Sequence, residues 1–82
     1  MYRLIKYEGK DGTDKLKNIA AIHSLDGSFY WTVGVGSVIG FEYDDDSGKM
    51  LRSSIIEDIV TENNIIKITT MNSVFWFKEI EE

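Results

Sequence analysis

The chain has 82 residues, 43% of them apolar, with no cysteine, no proline and a formal charge of −5 at neutral pH. That length holds one domain around one core and excludes a catalytic domain joined to a regulatory one, while the missing cysteine excludes disulfide staples and thiolate metal sites. Residues 1–39 carry five Lys/Arg against four Asp/Glu and residues 40–82 four against ten, so the acidic second half disfavours nucleic-acid phosphates, and no direct DNA or RNA binding is expected.

The opening MYRLIKYEGK is too charged for a signal peptide. No apolar run approaches the roughly 20 residues that span a bilayer. No membrane association is expected, and a cytoplasmic location follows as an expectation.

Tyr2 to Tyr7 alternates, with Tyr2, Leu4 and Lys6 on one side and Arg3, Ile5 and Tyr7 on the other, and predicts a first strand. Glu8 to Asp14, with Gly9, Asp11 and Gly12, predicts a turn. Lys15 to Leu25 admits two readings. Leu16, Ile19, Ala20 and Ile22 fit a short helix capped by Thr13 or Asp14. Ile19 to Ser24 also fits a strand that turns at Asp26-Gly27, a favoured hairpin dipeptide, and the strand is the preferred reading.

Ser28 to Val35 is crowded with aromatic and β-branched residues and predicts a strand, with Phe29, Trp31, Val33 and Val35 as its core face. Gly34 and Gly36 mark a bend before a further strand, Ser37 to Tyr43. Asp44 to Gly48 predicts an exposed loop. Met50 to Ile56 predicts a strand, and Ile55, Ile56, Ile59 and Val60 then fit either one helical turn or a continuation to Thr61. Glu62-Asn63-Asn64 predicts a turn. Ile65 to Ile80 predicts a hairpin about Met71-Asn72-Ser73, with Phe75 and Phe77 on one face and Val74, Trp76 and Lys78 on the other.

These elements predict a single, mainly β domain over residues 1–82. It would be a small, strongly bent antiparallel sheet or an SH3-like barrel, with room for one short helix, because a flat sheet of this size would leave an apolar face wet.

The inventory for catalysis is thin. His23 is the one histidine and no nucleophile turn is present, so no enzyme activity, cofactor or metal is expected. Asp44-Asp45-Asp46-Ser47-Gly48 fails the calcium-loop pattern, since the sixth residue is Lys49 and the twelfth Ile55. Gly34-Val35-Gly36-Ser37 lacks the remaining residues of a dinucleotide or phosphate loop.

Aromatic residues beside acids point instead to a protein interface, where Tyr and Trp anchor within a polar rim. The candidate binding residues are Tyr30, Trp31, Tyr43, Asp44, Asp45, Asp46 and Trp76. A host protein with a basic surface is the expected partner. A rival reading places a nucleotide or similar small ligand among Tyr30, Trp31, the Gly34 to Ser37 bend and Trp76. Strand-rich chains without proline also have poorly defended edges, which makes homo-oligomerisation a further expectation.

Ile66, Ile68, Thr70, Asn72, Ser73, Phe75 and Phe77 form an I-x-I-x-T-x-N-S-x-aromatic-x-F stretch. It resembles the tail of small β proteins carried by bacteriophages and mobile elements of Gram-positive bacteria, although that pattern often has Tyr at the place of Phe75. The resemblance covers about a sixth of the chain. It implies an accessory protein, such as a phage-type inhibitor, that binds a host component, and it brings no catalytic residues.

Overall fold

The computed structural model describes residues 1–80. Six strands, β1 (Tyr2–Gly9), β2 (Asp26–Phe29), β3 (Val38–Tyr43), β4 (Met50–Glu62), β5 (Ile65–Thr70) and β6 (Ser73–Glu79), pair antiparallel in chain order, and β6 returns to β1 to close a barrel. One short helix, α1 (Leu16–Ala20), interrupts the strands. The expected mainly β barrel with a single short helix is therefore what the chain forms. No helix among the described residues is long and apolar enough to cross a membrane.

Closure depends on bends. β1 shifts register between Leu4 and Lys6, β3 and β4 shift near Gly40, and β4 and β5 shift between Ile56 and Asp58. Such irregularities sharpen strand twist and let a small sheet curl onto itself. β4 pairs along its first part with β3, as far as Ile55, and from Ile56 onward with β5.

Alternate residues point inward and fill the interior. Leu4, Ile39, Phe41, Ile56, Ile68, Phe75 and Phe77 are sealed from solvent. Their rings interlock: Phe41 and Phe77 lie 4.8 Å apart, Phe29 and Phe77 4.8 Å, and Phe29 and Phe41 5.6 Å. Edge-to-face and tilted contacts of this kind add to the stabilisation from burial alone.

The structure corrects several expectations. Lys15 to Leu25 holds a helix, not the preferred strand: Asp14 Oδ1 accepts the Leu16 N–H at 2.9 Å, and Ile19 is buried in the core. Asp26-Gly27 lies within β2, not in a turn, because the Glu42 carbonyl and the Phe41 ring pass so close to Gly27 that only a residue without Cβ fits. The strand expected over Ser28 to Val35 ends at Phe29, and Val35 is 66% exposed instead of facing the core. The undecided segment after Ile56 is strand, continuing to Glu62.

Candidate binding site at one end of the barrel

The segment that replaces the expected strand builds one wall of a concavity. After Phe29 the Tyr30 N–H still donates to the Gly40 carbonyl at 2.7 Å, but the chain then leaves the sheet. Trp31 folds back across β3: its indole N–H donates to the Val38 carbonyl at 2.7 Å and its ring lies over Gly40. The Arg52 guanidinium stands 5.5 Å from the ring centre. At the far end of the segment, Gly36 adopts φ +90°, and its N–H donates to the Ile56 carbonyl at 2.9 Å. The segment is thus pinned at both ends and bowed between them.

Its first part, Tyr30 to Val33, lines a cleft of about 560 Å³ together with Tyr2, Phe29 and Ile66 among others. Tyr2 rests on Phe29 with ring centres 4.9 Å apart, which ties the cleft floor to the aromatic core. Tyr30 stands nearly perpendicular to Trp31 at 5.8 Å and is 66% exposed. A hollow of about 130 Å³ between Tyr2, Thr61, Asn64, Ile66 and Glu79 adjoins it, sharing Tyr2 and Ile66.

The acidic loop lies at the other end. Register pairs Phe29 with Phe41 and Gly27 with Tyr43, so Tyr30 and Trp31 leave one end of the β2–β3 pair and Asp44 leaves the opposite one. Tyr43 is buried, its ring stacked on His23 at 4.1 Å, and burial, with Tyr7 and Asp45 nearby, raises its hydroxyl above the ordinary value.

Asp45 turns back onto the fold. Its carboxylate accepts the Ser47 N–H at 3.0 Å and the Ser24 N–H at 3.1 Å, and lies 3.1 Å from His23 Nδ1. Bonds from Ser47, then Ser24, then His23 hold it well below the usual carboxylate range. Asp45 therefore fastens its loop to the segment after α1, while Asp44 and Asp46 are exposed.

Trp76 stands apart from both ends. It lies on the outer wall of β6, between Lys6 of β1 and Lys67 of β5, whose ammonium groups sit 4.7 and 5.6 Å from its ring. The candidate residues thus divide among one barrel end, the other end and the wall, and only Tyr30 and Trp31 share the cleft. Tyr2, Phe29, Val33 and Ile66 join them there from separate parts of the chain.

Among the described residues no group of His, Asp and Glu is arranged to hold a metal ion. The cleft offers the rings of Tyr2, Phe29, Tyr30 and Trp31 and the apolar side chains of Val33 and Ile66, with Ser28, Thr32 and the two tyrosine hydroxyls among its polar groups, a set suited to seating an aromatic or apolar group that carries a hydrogen-bonding edge. No protein-family model, curated protein or solved structure matches this chain.

Proposed function

We propose that the chain is a non-enzymatic interaction protein that captures a partner protein by seating one of its apolar or aromatic side chains in the Tyr30–Trp31 cleft. The observation that carries this reading is the cleft itself, a concave aromatic site whose most exposed ring, Tyr30, stands outside the core. Exposed tyrosine beside a rigidly held tryptophan is the composition of an interface anchor. The net charge of −5 favours a partner with a basic surface, drawn in by long-range attraction. The resemblance of the Ile66 to Phe77 stretch adds the reading of an accessory, inhibitor-like role against a host component.

The nucleotide reading rests on the same rings. It is the weaker one, because among the described residues no Lys or Arg lines the cleft to meet a phosphate.

Capture from a host lysate by the native chain, by Tyr30→Ala and by the Asp44→Lys, Asp46→Lys double variant tests the proposal. Tyr30→Ala should weaken retention of a specific protein by about tenfold or more, the effect of removing an interface anchor. The double variant should retain the contact but show altered salt dependence. Retention untouched by Tyr30→Ala would remove the cleft from the interface. Quenching of Trp31 by nucleotides in a Trp76→Phe background would favour the small-ligand reading.

A further inference from the structure

β4 outruns its neighbour on one side. Pairing with β3 reaches Val38 opposite Ile55, and the last hydrogen bonds across that side run from Ile56 N–H to the Ser37 carbonyl, 2.7 Å, and from Gly36 N–H to the Ile56 carbonyl, 2.9 Å. From there to Glu62 the strand is paired with β5 alone. The turn that joins them is Asn63-Asn64, with φ of 49° and 67°, a two-residue hairpin turn in which the flanking Glu62 and Ile65 exchange hydrogen bonds. Glu62, Val60 and Asp58 consequently direct their backbone groups at β5, whereas Ile59 and Thr61 direct theirs away from it. Among the described residues no backbone hydrogen bond closes that side of Ile59 or Thr61.

This open edge stands at the lip of the cleft. Thr61 and Ile66 line the small hollow, and Ile66 also lines the larger one. Asp58, Val60 and Glu62 point outward, with Val60 47% exposed. We infer that the open edge of β4 takes an extended, basic segment of the partner as an added strand, an inference that rests on the cleft reading and names the main-chain contact accompanying it. A strand laid along Ile59 and Thr61 would send alternate side chains inward to the cleft and outward beside Asp58, Val60 and Glu62. The matching segment alternates inward apolar residues with outward residues in the order basic, apolar, basic.

Charge selects this occupant over a second copy of the chain. In the self-pairing centred on Val60, Ile59 faces Thr61 of the other copy, and Asp58 faces Glu62 on both sides of the centre. Like charges directly opposed across strands are unfavourable, and acidic rims are a recognised guard against edge-to-edge association. Glu57 is already engaged by Lys10 at 3.0 Å, which leaves Asp58 and Glu62 for the incoming segment.

The test uses the full chain, isotope-labelled, with the capped peptide Thr-Lys-Val-Val-Val-Lys-Thr as the probe, which sets lysine, valine and lysine on the outward face and valines on the inward one. The expected result is slowing of amide exchange at Ile59 and Thr61 by about tenfold or more, together with a change in Trp31 emission in the Trp76→Phe background. Both effects should vanish when the edge-facing peptide amides are N-methylated and when glutamate replaces lysine in the probe. Thr61→Pro should also abolish the slowing at Ile59 and the Trp31 change, since it removes a donor that β5 does not use. If Thr61→Pro loses its folded circular dichroism spectrum, the N-methylated peptide carries that arm alone. A Trp31 response with unchanged Ile59 and Thr61 amides would overturn strand addition and leave the cleft reading standing. Silence at all three positions would overturn both. Protection of Ile59 and Thr61 that grows with protein concentration in the absence of peptide would assign the edge to a second copy and overturn the inference.

Discussion

The Trp31 ring rests on the bare α-carbon of Gly40: a methyl group added there would stand 2.6 Å from Trp31 Cζ2. With the 2.7 Å bond from the indole N–H to the Val38 carbonyl, this contact fixes the wall of the cleft to β3. Gly40→Ala should therefore displace Trp31 instead of being absorbed. A loss of about 1–3 kcal/mol, the usual cost of overpacking, is expected in urea unfolding. A red shift of Trp31 emission in the Trp76→Phe background should accompany it. An unchanged spectrum would mean that the ring is not held by this contact.

Thr70 and Ser73 secure the β5–β6 turn from inside. Thr70 is sealed from solvent, and its hydroxyl accepts the Ser73 N–H at 3.1 Å and donates to the Ser73 carbonyl at 3.1 Å. Thr70→Val preserves shape and deletes both bonds, which should cost about 1–3 kcal/mol because the Ser73 groups are left in the interior without that partner. Thr70→Ser keeps the hydroxyl and should cost less. A Thr70→Val variant as stable as the native chain would mean that the two hydroxyl bonds contribute nothing to stability.

Asp45 makes the molecule sensitive to acid in a calculable direction. Its carboxyl titrates lower in the folded chain than in the unfolded one, where about 3.9 applies. The folded state thus binds fewer protons, so its stabilising contribution is complete above the unfolded value and is lost as pH falls toward the folded one. Asp45→Asn should lower Tm near neutrality, and the gap from the native chain should narrow below about pH 4. Asp26, held down by Arg3, and Asp11, held down by Thr13, titrate in the same sense, so the variant retains part of the acid slope. A gap that widens on acidification would contradict this assignment.

The sequence made the sheet readable where local pattern and packing agree. Ile65 to Ile80 alternates, and its hairpin lies where alternation puts it, with Phe75 and Phe77 inside and Trp76 outside. Asn63-Asn64 was legible for a related reason: asparagine tolerates the positive φ that both residues adopt. Ser28 to Val35 misled because its β-branched and aromatic residues describe an ideal strand, whereas Trp31 is drawn out of line by Gly40 and the Val38 carbonyl, partners that no local window contains. The helix was undecided because it is a single turn and a half, held chiefly by Ile19 reaching the core.

The site was less legible than the fold. Tyr30 and Trp31 stood out as residues, but Tyr2, Phe29, Val33 and Ile66 reach the cleft only through barrel closure. Asp44, Asp45 and Asp46 are identical letters, and nothing before folding distinguishes the one that His23 and Ser24 turn inward. The open edge of β4 was hidden by the same cause, since it depends on where β3 begins to pair.

The seam between β1 and β6, from Tyr2 opposite Glu79 to Gly9 opposite Ser73, also has a kinetic meaning. The hairpins β3–β4, β4–β5 and β5–β6 join sequence neighbours and can zip early, whereas the seam must bring together the most widely separated strands and pay the corresponding loop entropy. Ring closure is therefore the expected late event of folding, and a species caught before it would present two unpaired strand borders at once, the form in which this small cylinder would be most exposed to clumping.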